Sequence, residues 1–485
     1  MKYILSIDQS TQATKVILFD ETGKLVKRVD KAHKQIISNE GFVSHDPIEI
    51  YENTIKLVKE LLKITKIQSD SIVALGISNQ RETTVMWDKN GIPLADAVVW
   101  QCSRAKGIAE KYMSYSDRVH EITGLQISPY FPACKMKWLI DHVQPKDEYC
   151  LGTIDSWLIY KLTKGASFKT DTTNASRTQL YDIHIGKWSE ELCKLFGIDQ
   201  KNLAEIHDCN AVFGYTDIEG ILPKEIPITA VMGDSHAALY GHGCHKDGQV
   251  KTTLGTGSSI MMNIGTKEKL STNGLSTSVA YSIDGVRTFA IEGNINYAGA
   301  VISWLKNDLE LIEDANETQK IILDSNPGDE TVLVPAFTGL GAPYWNMHAK
   351  AMFYGMTRTT TWKELVRASV ESIAYQITDI LNAMENDTGI SIKEVKADGG
   401  PSKNQYLMQF LAECAQNTVC VSLQEELSAT GVAYMAGLTI GLYQKDNLIH
   451  QLKYDVYQNR FNRSEWQSQM NRWYEAIKLI QGKGV

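Results

Sequence analysis

Asp234 sits at the corner of the stretch Ile226-Pro-Ile-Thr-Ala-Val-Met-Gly233-Asp234-Ser235-His236-Ala-Ala-Leu-Tyr-Gly241. An apolar, β-favouring run meets a Gly-Asp pair there, and an Ala-rich run with helical character follows, so the stretch reads as strand, sharp turn, helix. A carboxylate at such a corner stands at a strand end and beside the N-terminal dipole of a helix, where open α/β sheets bind ligands. Asp234 is therefore the candidate catalytic base. Capping of the helix by Asp234 or Ser235 is the competing reading, because Asp and Ser are preferred N-caps.

Two turns offer a second kind of chemistry. Asp8-Gln9-Ser10-Thr11-Gln12-Ala13-Thr14-Lys15 follows one β-like run and precedes another, and Leu254-Gly255-Thr256-Gly257-Ser258-Ser259 repeats the pattern. Small hydroxyl, amide and glycine residues let backbone N–H groups close around phosphate oxygens, although either turn alone is equally a polar hairpin. Two of one type, one opening each half, suggest a phosphate clamp between two related domains, while the similarity is too weak for a sequence repeat. Arg81 and Glu82 end a buried strand and pair a forked donor with a two-oxygen acceptor, which suits a polyhydroxy ligand or a surface ion pair. Trp100 and Tyr130 bring aromatic faces that pack against the C–H surface of a polyol or against the core. Gly399-Gly400-Pro401 lets a ligand approach the backbone, and Asn404 can offer both a donor and an acceptor to an adenine edge.

The elements that must hold these residues follow from periodicity. Strands are expected at residues 3–7, 16–19, from 25, 72–77, 98–100, 226–232, 250–254, 260–262, 332–337 and 395–398. Helices are expected at 46–65, 364–385, 406–415, 425–441 and 465–482. Residues 152–160 read as strand or helix, and 170–177 as a loop. With 485 residues, 43% hydrophobic and 22% charged, the chain suits two globular domains, taken as 1–243 and 244–485. A net charge of −8 disfavours nucleic acid or an anionic membrane as partner. Eight scattered cysteines without a C-x-x-C pair suggest neither zinc nor disulfides, and point to the reducing cytoplasm. No run approaches the roughly 18 apolar residues that a spanning helix needs, and no export segment is visible.

These residues resemble the FGGY carbohydrate kinases, most closely the branch that phosphorylates glycerol. Tyr130 to His142 fits the family's first signature, and Ala351 to Arg358 through Ala368 to Glu371 fits its second. Asn79 to Thr84, Asn174 to Thr178 and Phe337 to Trp345 match the glycerol-specific branch. The resemblance covers nearly the whole chain. It implies an α/β fold of two actin-like ATPase (ribonuclease H-like) domains, with ATP and substrate in the cleft between them. It further implies an ATP-dependent kinase acting on a primary hydroxyl of glycerol or a closely related polyol, with Asp234 as base and Asp8 helping to hold Mg²⁺. Ser10, Thr11 and Gln12 would form the first phosphate loop and Gly255 and Thr256 the second. Gly299, Ser303, Gly400 and Asn404 would surround the nucleotide, and Arg81, Glu82, Trp100 and Tyr130 would hold the polyol. A homodimer or homotetramer is expected. Mg²⁺ rather than zinc suits an oxygen-rich, thiol-poor cluster.

Several positions depart from that branch. It carries Gly, Thr and Arg where Ser10, Gln12 and Lys15 stand, Gln at Ser235 and a substrate-packing Phe at Ser259. Ser235 and Ser259 are counted with the substrate site, and their small side chains favour a four- or five-carbon substrate such as erythritol or xylulose, bonding Ser259 or His236. Glu225 stands where the branch has an Arg of a sugar-bisphosphate regulatory site, so inhibition by that effector is not expected. Two other classes share the architecture. An actin-like ATPase would turn over ATP without a polyol, and a ribonuclease H-like nuclease would need clustered carboxylates and a basic face.

Overall fold

Residues Tyr3–Gln9 (β1) are buried along nearly their whole length, as a strand covered on both faces must be. The computed structural model describes residues 1–482, so the last three residues of the expected 244–485 half lie outside the described residues. β1 pairs antiparallel with Ala13–Phe19 (β2), which pairs antiparallel with Leu25–Ala32 (β3). On its other edge β1 runs parallel to Ile72–Asn79 (β4), and β4 runs parallel to Ile226–Gly233 (β6), with Gly214–Thr216 (β5) closing the edge. The sheet order is β5-β6-β4-β1-β2-β3.

The second half builds the same plan from a different sequence. Gln249–Leu254 (β7) pairs antiparallel with Ser258–Gly265 (β8), which pairs antiparallel with Val286–Ile295 (β10), itself beside Ser276–Ile283 (β9). β7 also runs parallel to Glu394–Gly399 (β11), and β11 runs parallel to Val419–Ser422 (β12), with Tyr454–Tyr457 (β13) at the edge. The order is β9-β10-β8-β7-β11-β12-β13. In both sheets an antiparallel hairpin turns at a polar loop, and on the other side of its first arm two further strands follow in succession, each parallel to its neighbour, which is the duplicated actin-like arrangement. A third sheet joins Ile36–Ile37, Val43–His45, Ala97–Val98, Thr84–Asp88 and Tyr149–Thr153 beside the first.

Helices cover both main sheets. Pro47–Thr65 (α1) starts at Asp46, whose side chain accepts from Ile48 N–H, and Pro132–Val143 (α2) follows Tyr130. Asp234–Gly241 (α3) leaves β6, and Gly299–Asn307 (α4) and Glu317–Leu323 (α5) follow β10. Trp362–Thr388 (α6) outruns the expected 364–385. A Thr361/Glu364 capping box sets its start, and Gly389 in the left-handed region (φ 64°) sets its end. Gln405–Ala415 (α7), Leu427–Thr439 (α8) and Arg463–Ile480 (α9) complete the helices used below.

Three expectations are refined. Residues 152–160 divide into the end of the strand Tyr149–Thr153 and the helix Ile154–Leu162. The loop at 170–177 contains the short helix Thr172–Ala175, capped by Asp171, which accepts from the N–H groups of Thr173 and Asn174. The strand at 98–100 stops at Val98, which leaves Trp100 in the turn beyond it. Among the described residues no helix is long and apolar enough to cross a membrane.

Although α8 comes late in the chain, it packs on the first sheet. Ala429, Val432 and Ala433 share a core cluster with Ile4, Ile17, Ala74 and Ala230, and Ser6 Oγ donates to Ala429 O at 3.0 Å. α8 also crosses α3 at near-backbone contact: a Cβ on Gly431 would lie 1.9 Å from Ala237 O, and one on Gly241 would lie 2.3 Å from Leu427 O. Gly431→Ala is therefore expected to destabilise the protein by about 1–3 kcal/mol through overpacking against backbone. Gly107→Ala, in an exposed helix with open space around it, is expected to stabilise by about 0.5–1 kcal/mol. Urea midpoints that move in opposite directions check both.

Candidate active site

The strand ends of the first sheet deliver the carboxylates. Asp234 is the first residue of α3, and the N-cap position belongs to Gly233, so the capping reading of Asp234 and Ser235 does not hold. A Cβ on Gly233 would sit 2.5 Å from Arg81 Cγ, and its absence lets Arg81 run across the strand end. Asp234 Oδ1 accepts from Ser235 N–H at 2.6 Å and lies 3.3 Å from Arg81 Nε. About 35% of the Asp234 side chain stays open to the cleft. Burial raises its carboxyl to about 6; Arg81 opposes that rise, and Glu82 and Asp8 add to it.

Asp8, near the end of β1, is opposite Lys15 in the hairpin, and Lys15 Nζ lies 3.5 Å from its Oδ2. Oδ1 of Asp8 is buried without a partner, and burial raises the carboxyl against the pull of Lys15. Lys15 is held in turn by Glu426 Oε2 at 2.7 Å, and Arg28 bonds the other oxygen of Glu426. Glu426 adopts φ 58° just before α8, so the later half of the chain supplies the anchor for Lys15.

Arg81 and Glu82 are not a surface pair. Both are buried, with Arg81 Nε 3.7 Å from Glu82 Oε1, and their main partners come from elsewhere in the chain. Arg81 grips Glu292 of β10 through both Nη atoms, at 2.8 and 2.9 Å. Glu82 accepts from Arg177 Nε at 2.8 Å, while Arg177 Nη1 lies 3.0 Å from Glu292 Oε2 without hydrogen-bond alignment. Burial alone would raise the Glu292 carboxyl, but Arg81 and Arg177 hold it well below the usual range. Two of the five Arg81 N–H groups are thus engaged across the lobes. Trp100 and Tyr130 meet edge to face with centroids 5.4 Å apart, and Trp100 Nε1 donates to Thr11 Oγ1 at 2.8 Å. The buried Lys135 bonds the carbonyl of Tyr130 and fixes that end of the aromatic wall.

The two expected phosphate loops turn the hairpins at the C-terminal ends of β1 and β7. Ser10 closes the first through its N–H and Oγ, both bonded to Ala13 O at 2.9 Å, and Gln12 is exposed at the tip. In the second, Gly255 and Thr256 are exposed, and their carbonyls accept from Gly299, Ala298 and Ala300 N–H, which docks the loop on the start of α4. Gly399 (φ 96°) passes so close to Leu254 O that a Cβ would lie 2.1 Å away, whereas Gly400 has open space around it. Beyond this bend a cavity of about 680 Å³ is lined by Gly299, Ser303, Gly400 and Asn404, with Ile302 and Leu407 as apolar walls.

Two expectations change. Asn404 keeps only one N–H and one lone pair for an adenine edge. Its Oδ1 caps α7 by accepting from Leu407 N–H at 3.0 Å, and its Nδ2 donates to Thr318 Oγ1 at 3.0 Å. His236 is buried with Nε2 3.1 Å from Ser278 Oγ and is not open to the cleft. Ser259 does reach the site: its Oγ donates to Glu292 Oε1 at 2.9 Å and accepts from Lys251 Nζ at 3.1 Å. Glu292, Arg177, Lys251 and Glu426 escaped the sequence reading. Each lies in a strand or turn whose pattern gives no sign of the partner it meets, although a charge directly after an apolar run, as at Glu292 behind Phe289-Ala290-Ile291, is a usable signal.

Two lobes of one plan, facing a cleft that carries paired hairpin loops and a strand-end carboxylate, define an ATP-dependent phosphotransferase of the actin-like type. Residues 3–241 match the N-terminal domain, and residues 250–440 the C-terminal domain, of the FGGY family of carbohydrate kinases. The chain belongs to that family. It is similar to glycerol kinase 1 of Thermotoga maritima, 44% identical over 99% of each chain. It is also similar to the glycerol kinase of Fusobacterium nucleatum, 41% identical over 93% of each. The structure of Plasmodium falciparum glycerol kinase with ADP superposes with a TM-score of 0.93 at 34% identity, covering 99% of this chain and 98% of that one.

The buried ion cluster makes a strong prediction. Glu292→Gln leaves two buried guanidinium groups with only Glu82 and the partly exposed Asp234 as counter-charges and is expected to cost about 3–5 kcal/mol of stability. Adding Arg81→Met to that variant is expected to recover part of the loss in urea unfolding, because an unpaired buried charge is removed with it.

Proposed function

We propose that this protein transfers the γ-phosphoryl group of ATP to a primary hydroxyl of glycerol or a closely related polyol. The observation that carries the reading is Asp234: a cleft-facing carboxylate with its titration raised to about 6, fixed at a strand end beside Arg81. On this reading the polyol lies against Trp100 and Tyr130, and Arg81 and Glu82 orient its hydroxyls with the donor and acceptor positions left by Glu292 and Arg177. Asp234 accepts the proton of the attacking hydroxyl as the new O–P bond forms and the bond to ADP breaks. A base poised near 6 is ionised at neutral pH and still basic enough to assist. Ser10 and Gly255 spend their N–H groups closing the two loops, so the N–H groups of Thr11, Gln12 and Thr256 would orient the phosphates, and the cavity at Ser303 and Gly400 would take the nucleoside.

The buried, unpartnered Asp8 Oδ1 fits a divalent cation or a water bound to it, and no group of three or more metal-ligating side chains is present among the described residues. One carboxylate suits Mg²⁺, which keeps most of its ligands as water and phosphate and would neutralise phosphate charge when bound. Eight free, buried cysteines support a reducing compartment, the cytoplasm.

Asp234→Asn is expected to lower kcat by about two to four orders of magnitude with ATP binding retained. The kcat/KM of the wild type is expected to fall on the acid side with a limb near 6, because the carboxyl must lose its proton to act, and Arg81, Glu82, Asp8 and Lys251 are the charges that set that limb. Turnover within a few-fold of wild type in Asp234→Asn refutes the assignment. Asp8→Asn is expected to reduce activity by about two orders of magnitude or more while polyol binding without nucleotide persists. Equal loss of both, measured by calorimetry, assigns Asp8 to the fold instead.

A further inference from the structure

The wall of the cleft opposite Asp234 has a composition that the grip on a three-carbon polyol does not use. The register pairs Thr253 with Ser259 and Ser259 with Asn294, so these three side chains share one face of the second sheet. Alternation puts Lys251 and Glu292 on the same face, and Glu292 is the residue that Arg81 grips, so this face is turned toward Arg81 and Asp234. Asn294 is exposed, and its carboxamide makes no hydrogen bond with any described residue. Ser259 is partly exposed; having donated to Glu292 and accepted from Lys251, its hydroxyl keeps one acceptor position. Lys251 lies beneath, fully buried, with Thr253 Oγ1 at 3.3 Å as its second partner.

We infer that Ser259 and Asn294, backed by Thr253 and Lys251, form a polar subsite for the distal hydroxyls of a linear polyol of four or five carbons. This rests on Asp234 as the base for a primary hydroxyl. A three-carbon substrate held at Asp234 and Arg81 leaves this wall hydrated. A longer chain replaces that water, its hydroxyls donating to Ser259 Oγ and exchanging donor and acceptor with the Asn294 amide. The bonds are to groups that are already fixed: Glu292 and Lys251 hold the Ser259 hydroxyl, so little ordering accompanies binding.

The experiment compares kcat/KM for glycerol, erythritol and ribitol in wild type, Asn294→Ala and Ser259→Ala, with a thermal shift by ADP confirming that each variant is folded. Wild type is expected to prefer erythritol or ribitol to glycerol by about tenfold or more, the effect of one or two net hydrogen bonds. The ratio of long-chain to glycerol kcat/KM is expected to fall by about tenfold in Asn294→Ala, and also to fall in Ser259→Ala. Preference for glycerol in the wild type, or a ratio unmoved in both variants, overturns the subsite while leaving glycerol phosphorylation and Asp234 intact. Absence of turnover with every polyol overturns the subsite and the proposed function together.

Discussion

The buried carboxylate of Glu292 is the constraint on which the rest of the site depends. It comes from the second sheet, yet its charge is balanced by Arg81 and Arg177 from the first half of the chain. An ion at this depth is tolerable only when paired and hydrogen-bonded, so the two lobes are held where both guanidinium groups can reach it. That position also fixes Arg81 Nε beside Asp234 and brings Ser259 and Lys251 to the same centre. Three cations, Arg81, Arg177 and Lys251, and three carboxylates, Glu82, Glu292 and Asp234, share the floor of the cleft, and among the carboxylates Asp234 alone keeps substantial exposure. The same cluster therefore holds the cleft together and leaves one group free to take a proton.

The duplicated sheet plan explains why each half of the chain carries a polar hairpin loop. In each sheet the first arm is central, with an antiparallel partner on one side and a parallel one on the other. Ligands of parallel strands collect at their C-terminal ends, and in both halves the hairpin turn lies at that end. α8 then links the halves by packing on the first sheet and crossing α3 through Gly241 and Gly431. Glu426, immediately before α8, reaches Lys15 and through it Asp8, so the helix crossing and the first loop are parts of one mechanical unit.

The end of the molecule beyond Gly400 follows a different rule. Its cavity lies wholly in the second lobe and is walled by residues that hold one another, with Asn404 capping α7 and tying down Thr318. Its walls are therefore the apolar side chains of Ile302 and Leu407 and, at Gly400, open backbone.

Local pattern determined much of this protein. The strand, corner and helix around Asp234, the two polar hairpins, the long helix from 362 and the helices from 405, 427 and 463 are legible because periodicity and capping act over a few residues. The long motifs were enough to point to the family. Tertiary structure alone decided that Arg81 faces Glu292 and not open solvent, that Arg177 belongs to the site, that Asn404 is engaged, and that Ser259 and Asn294 stand side by side. Each is a meeting of side chains far apart in the chain. The register of the second sheet and the approach of the two lobes place them together, and no local preference encodes which buried charge will find which partner.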